Sequence, residues 1–240
     1  FFDSFENALS ILMRLDIVSD TICPWCYVGK KRLEEGIALL RAKGVTTEIS
    51  IRWRPFFLDA HLPKRLNKLQ HYKDKFGAAR IARMVPYMQE VGKSCGIHFS
   101  YGGEIGNTLD SHRLIEHAFK IGGQDKQDAV VNALFRRYFE QEKNMADHDV
   151  LKSAAEEAGL GDVSAFLAGD ELREEVVAEE RAFRRKFDVS GVPFFIFNDG
   201  EFTLSGAQEA ATFVRVVEEL SKRESAPATA AGASGAGGAL

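Results

Sequence analysis

Apolar residues recur at two different spacings along this 240-residue chain, and the switch between them divides it into three stretches. Residues 15–20 alternate, with Leu15 and Ile17 against Asp16 and Ser19, and end polar, which predicts a short half-buried strand. Beyond residue 27 the spacing lengthens: Val28, Leu33, Ile37 and Leu40 lie on one face of a helix, and Gly44 stands where a left-handed cap is expected. Residues 47–54 return to a period of two, with Ile49, Ile51 and Trp53 opposite Glu48, Ser50 and Arg52, and Pro55 closes the run. A strand, a helix and a second strand in that order favour a parallel pair.

Between residues 61 and 187 the pattern is helical. Ile81, Met84, Val85 and Met88 form a stripe over residues 80–91, with Pro86 placed to kink it. Thr108 or Ser111 is a candidate cap for a helix carrying Leu114, Ile115, Ala118 and Phe119, closed by Gly122-Gly123. Val130, Ala133, Leu134 and Tyr138 mark another, and Asp147 and Asp170 are candidate caps for two more. Strand signals then resume. Phe194-Phe195-Ile196-Phe197 and Phe202-Thr203-Leu204 flank Asn198-Asp199-Gly200, a hairpin signal, and Gly206 precedes a last helix with Phe213, Val216, Val217 and Leu220.

Neither outer piece has enough strands to stand alone. Joined edge to edge they make one α/β sheet, discontinuous in sequence (residues 14–60 and 188–223), with residues 61–187 as an inserted helical domain. Residues 224–240 are Ala, Gly and Ser with little else, and are expected to be a disordered tail.

A net charge of −4 and the absence of a basic stripe argue against nucleic acid as a partner. No apolar run approaches the ~20 residues of a membrane span. The first fifteen residues carry Asp3 and Glu6 before Arg14, the reverse of a secretory signal. Because the sequence opens on Phe1 rather than Met, the compartment rests on this pattern alone, and it reads as cytoplasmic.

Three cysteines are too few for a disulfide framework in a chain this long. Cys23 and Cys26 bracket Pro24 and Trp25 at the junction of the first strand and helix, where proline suits the first helical position. The unpaired N–H groups and positive end of that helix would face the Cys23 sulfur and favour its thiolate, the attacking species in disulfide exchange. Cys26, one turn inward, would resolve the adduct, and Trp25 would offer apolar surface beside it. Gly191-Val192-Pro193 precedes the second half-sheet. A cis bond before Pro193 would turn the chain there and leave the Val192 backbone to pair with a substrate strand. Asp20, three residues before Cys23, reads as a turn or capping residue, with proton transfer to Cys26 as the sharper alternative.

These runs resemble the DsbA-like thioredoxin-fold family, and within it the FrnE-type branch. The matching segments are Ser19-Asp20-Thr21-Ile22-Cys23-Pro24-Trp25-Cys26-Tyr27-Val28-Gly29, Asn107-Thr108-Leu109-Asp110-Ser111-His112-Arg113-Leu114, Gly191-Val192-Pro193-Phe194-Phe195 and Ser205-Gly206-Ala207-Gln208. The resemblance implies a thioredoxin fold with a helical insertion, Cys23 as nucleophile, Cys26 as resolving thiol and Pro193 as the cis-proline. It also implies that the run with Asn107 and His112 faces the active-site groove.

The function expected is thiol–disulfide oxidoreductase or isomerase chemistry through a mixed disulfide, on protein or small-molecule disulfides and thiols. No tightly bound cofactor is expected, and glutathione is the candidate redox partner or cosubstrate; the oligomeric state is not legible. One alternative is a glutathione-dependent isomerase or transferase, as in the kappa-class and hydroxychromene-carboxylate isomerase relatives of the fold, which usually carry serine where this chain has Cys23. Another is a zinc-stabilised binding module, since Cys95 and His98 could join Cys23 and Cys26 in a ligand set. Cys95 otherwise reads as a small, partly buried apolar residue. His61, His71, His117 and His148 read as surface residues.

Overall fold

The computed structural model describes residues 12–225, so residues 1–11 and residues 226–240 of the expected tail lie outside the described residues. The first strand, β1 (Leu12–Ser19), runs parallel to β2 (Glu48–Pro55), and the helix α1 (Pro24–Ala42) makes the crossover. Leu15 pairs with Ile51 and Ile17 with Trp53, so the apolar side chains of both strands point to one face.

The insertion follows. A two-residue strand β3 (Leu66–Asn67) leads into α2 (Lys68–Phe76) and α3 (Ala78–Ser94), and a second short strand, β4 (Glu104–Ile105), pairs back on β3. Next come α4 (Leu109–Phe139), α5 (His148–Glu157), α6 (Ser164–Ala168) and α7 (Arg173–Lys186). The helix expected to close at Gly122-Gly123 does end there, with both glycines off helical angles and Gly123 at φ +64°; a second helix starts directly after, and the two are labelled together as α4. Asp147 caps α5 by accepting from Asp149 N–H. Asp170 does not cap α7: the cap position is Leu172, and the Asp170 carboxylate instead accepts from Arg173 Nε at 2.8 Å.

The chain then returns to the sheet. β5 (Phe194–Phe197) runs antiparallel to β1 and forms a hairpin with β6 (Phe202–Ser205) across Asn198-Asp199-Gly200, all at positive φ. The order is β2-β1-β5-β6, so the strand from the start of the chain lies at the centre beside one from the end. The last helix, α8 (Ala210–Ser225), extends two residues into the expected tail. It packs with α1 on one face, where Phe195 meets Phe213 at a ring distance of 4.8 Å. On the other face Val18 and Ile196 pack with Phe56, Val189, Phe183 of α7 and Phe187 just after it.

Sheet and insertion share one core. Tyr27 of α1 stacks on Phe135 and Phe139 of α4 at 5.1 and 5.9 Å, and Trp53 of β2 meets Phe135 edge-on. The outer edge of β2 is covered by α4, where Gln127 acts as a substitute strand. Its amide accepts from Trp53 N–H at 2.9 Å and donates to Trp53 C=O at 3.1 Å, while Gln124 accepts from Ile51 N–H.

Candidate active site

β1 ends in a turn that hands the chain to α1. Cys23 N–H donates to Asp20 C=O at 3.1 Å, and the Asp20 carboxylate accepts from Leu58 N–H at 2.8 Å and more weakly from Ile22 N–H. Asp20 is fully buried, so its turn role is plain. Cys23 is the N-cap of α1 with extended backbone angles, and its carbonyl accepts from Cys26 and Tyr27 N–H. Pro24 occupies the first helical position, where no N–H is needed.

The two sulfurs have different surroundings. Cys23 keeps 5 % of its surface, and its Sγ donates to Val192 C=O at 3.5 Å. The Val192–Pro193 peptide is cis. The Val192 carbonyl, expected to wait for a substrate strand, is therefore engaged by the thiol. Pro193 itself is buried, its carbonyl held by Gly206 N–H at 2.8 Å. Cys26 sits deeper, with Cys23, the Ser19 side chain and the Asp20 backbone as its polar neighbours. Burial first, and then the neighbouring Cys23, push its thiol well above the ordinary range.

Beside this pair lies a cavity of about 180 Å³ lined mainly by apolar side chains. Pro24 and Trp25 from α1 form one wall, Leu58 and Leu62 a second, and Tyr72, Met84, Met88 and Tyr101 from the insertion the rest. Leu58 and Phe76 at the mouth are exposed, and Tyr87, also exposed, lies 6.3 Å from Trp25. His71, Lys75 and Asp59 supply its polar rim, the last two paired at 2.8 Å.

Comparison with known proteins bears on the family and the fold. The family model for the DSBA-like thioredoxin domain matches residues 14–218. The chain belongs to the DsbA-like thioredoxin domain family. It is 30% identical to a probable DsbA oxidoreductase from Streptomyces coelicolor whose crystal structure superposes with a TM-score of 0.79, covering 91% of this chain and 93% of that one. A Bacillus subtilis protein, YwbO, itself uncharacterised, is 23% identical over 219 residues, 88% of this chain and 99% of its own. The fold is shared by the cytosolic disulfide reductase DsbM from Pseudomonas aeruginosa, solved with GSH, at 17% identity and TM-score 0.60, covering 87% and 99% of the two chains.

Within this DsbA-like site, the remaining residues singled out from sequence fall in several places. Asn107 is away from the cavity. Its amide donates to the carbonyls of Ala60 and Leu62, which holds the loop that brings Leu62 to the cavity. Thr108 takes the N-cap position of α4, as one of the two expected candidates, but its side chain makes no capping bond; the Asn107 oxygen, one residue earlier, accepts from Leu109 N–H instead. His112 points inward: it is 4 % exposed, and Nε2 lies 3.5 Å from Asp20 Oδ1. Cys95 ends α3 beside Ser94, and among the described residues no three His, Cys, Asp or Glu side chains gather as metal ligands. The histidines expected at the surface are not all there for solvation. His148 pairs with Asp110 at 2.9 Å, His117 stacks on Phe166 at 4.1 Å, and His71 lines the cavity. Sequence reasoning missed Ser19, Tyr72 and Tyr101 as site residues, and took Met84 and Met88 for core. Their one-turn spacing was the available signal, since methionine suits an adaptable apolar surface.

Among the described residues no helix is long and apolar enough to cross a membrane.

Proposed function

We propose that the chain exchanges disulfides through a covalent adduct on Cys23. The observation carrying this reading is the pair of sulfurs in reach of each other, one at the start of α1 and the other behind it, with an apolar cavity alongside. The N-terminus of a helix stabilises negative charge, which suits a thiolate at Cys23. Cys23 attacks one sulfur of a substrate disulfide; the Cys23–substrate bond forms, the substrate S–S bond breaks, and the first substrate thiolate leaves. Cys26 then loses its proton and attacks Cys23. The Cys23–Cys26 bond forms, the mixed disulfide breaks, and the second substrate thiolate departs. Run backwards, the same steps oxidise a dithiol.

Val192 fits this cycle. Once Cys23 has given up its proton it can no longer donate to the Val192 carbonyl, which becomes available to a substrate N–H beside the scissile bond. Substrate side chains next to the reacting cysteine would enter the cavity behind Trp25. Glutathione is the small thiol that returns the pair to its starting state, with the His71 ring and the Lys75–Asp59 pair offering polar contacts to its ends.

Insulin reduction and refolding of scrambled ribonuclease test the reading. Wild type is active in both. Cys26→Ser accumulates a mixed disulfide on Cys23, visible by mass spectrometry, and loses at least about 10²-fold in turnover, as befits loss of a group that acts in the reaction itself. Cys23→Ser forms no adduct. Full activity of Cys26→Ser on a protein disulfide would transfer the chemistry to a glutathione adduct of Cys23 alone.

A further inference from the structure

Resolution of the mixed disulfide has a problem of its own: Cys26 is buried, its thiol is held protonated, and the proton must go somewhere before the sulfur can attack. A cavity of about 10 Å³ lies behind the turn that ends β1, lined by Ser19, Thr21, Arg54, His112, Glu116 and surrounding apolar side chains. That is the space of a single water. Ser19 is a polar neighbour of the Cys26 thiol and also lines the cavity. His112 borders it too, and its Nε2 is buried without a hydrogen-bond partner among the described residues; Asp20 Oδ1 is 3.5 Å away, at ion-pair distance but not aligned for a hydrogen bond. A buried ring nitrogen left unpaired is costly, and it marks a place where a proton or a polar ligand has business.

Resting on the exchange reading above, we infer that His112 takes the proton of Cys26 during resolution, through the Ser19 hydroxyl and one water in the cavity that Ser19 and His112 share. The balance is simple. As the Cys26–Cys23 bond forms and the Cys23–substrate bond breaks, the electron pair leaves on the substrate sulfur. The Cys26 proton passes to Ser19, whose own proton passes through water to Nε2. Neutral imidazole becomes imidazolium beside the Asp20 carboxylate, which is fixed by Leu58 N–H. In the reverse direction imidazolium returns the proton to the departing Cys26 thiolate. His112 acts on Cys26 from a distance and touches neither sulfur.

The charges around His112 permit this. Asp20 faces it from the turn after β1, Glu116 from one turn along α4, and Arg54 from β2 across the same cavity. Glu116 is held by Arg52 through two contacts of 2.8 and 2.7 Å, and Arg54 by Asp16 and Glu179, so those charges are largely answered elsewhere. Tyr72 and Tyr138 lie within electrostatic reach of Asp20, and burial keeps both as neutral phenols. Phe57 closes on the ring edge-on at 5.2 Å.

Rapid-quench mass spectrometry of the reduced full chain mixed with a peptide disulfide separates formation of the adduct from its resolution, across pH 6 to 9.5. In His112→Gln, resolution is expected to fall about 10²-fold near pH 7, the lower end of general acid–base effects. The deficit then narrows as pH rises, because hydroxide reaches the Cys26 proton directly. Ser19→Ala, which removes one buried hydroxyl, reports the same pH-dependent deficit should the histidine variant fold poorly. Resolution at wild-type rates in both variants, or a deficit of one size at every pH, overturns the proposal, since a packing defect would not be rescued by base. Failure of the wild type to form any adduct would instead sink the exchange reading itself.

Discussion

Gly29 lies on the face of α1 that crosses Pro193. A methyl group added there would sit 3.0 Å from Pro193 Cγ and 3.2 Å from Phe195 Cζ, tighter than ordinary van der Waals contact. The missing side chain lets α1, with Cys23 at its start, approach the Val192–Pro193 peptide closely enough for the 3.5 Å contact between sulfur and carbonyl. Gly29→Val is therefore expected to destabilise the fold by about 1–3 kcal/mol, the usual range for overpacking, and to slow adduct formation as the two segments part. Urea midpoints and the formation rate check both. A raised midpoint with unaltered chemistry would show that Pro193 yields freely and that the close approach is incidental. Gly92, by contrast, is tight against Phe99 inside the insertion, where substitution touches stability alone.

At the scale of elements, the edge of β2 depends on a helix. Gln127 is fully buried and satisfies both backbone groups of Trp53, so Gln127→Leu leaves a buried N–H and a buried C=O without partners. At about 1–3 kcal/mol for each orphaned group, a loss of about 2–6 kcal/mol is expected by denaturant titration. A change below about 0.5 kcal/mol would mean that solvent already reaches that edge. The same comparison shows what was legible in the sequence. β2 and the start of β1 stood out because apolar and polar residues alternate there, and the β5–β6 hairpin because an unbroken apolar run, buried on both faces of the sheet, is followed by Asn198-Asp199-Gly200. α2 did not, because Lys68, His71, Lys73, Asp74 and Lys75 crowd a nine-residue helix that is held by its neighbours rather than by an apolar stripe of its own. β3 and β4, two residues each, have no periodicity to read. The cysteine pair was legible because its chemistry needs two residue types at a fixed spacing. Ser19 and His112 were opaque as partners because only the tertiary fold brings residues from β1 and α4 to one cavity.

The whole molecule is joined across its insertion by a buried cluster of ionisable groups, and that makes its stability depend on pH in a way that can be worked out. Lys68, 1 % exposed, starts α2; its ammonium donates to Tyr138 C=O at 3.0 Å and lies 3.9 Å from the Tyr138 ring. Burial, against weak help from Glu142, brings its pKa down from 10.5 to about 8. Tyr72, bonded to Tyr138 through their hydroxyls at 3.1 Å, is pushed by burial from 10.0 up to about 12. The two act in opposite senses. Between about pH 8 and 10.5 the unfolded chain holds the Lys68 proton while the folded chain has released it, so this residue adds stability as pH rises. Above pH 10 the unfolded chain loses its Tyr72 proton first, and stability falls until about pH 12; Cys26 pulls the same way from its ordinary 9.0 upward. Lys68→Met keeps the bulk, removes the charge and isolates the first effect. Urea midpoints should favour the methionine variant at pH 7, and its advantage should shrink steadily toward pH 10. Tyr72→Phe should flatten the decline beyond pH 10 while leaving the lower limb intact. Parallel curves for Lys68→Met and wild type from pH 7 to 10 would mean that water reaches the ammonium, and that the insertion opens at α2 without unfolding the sheet.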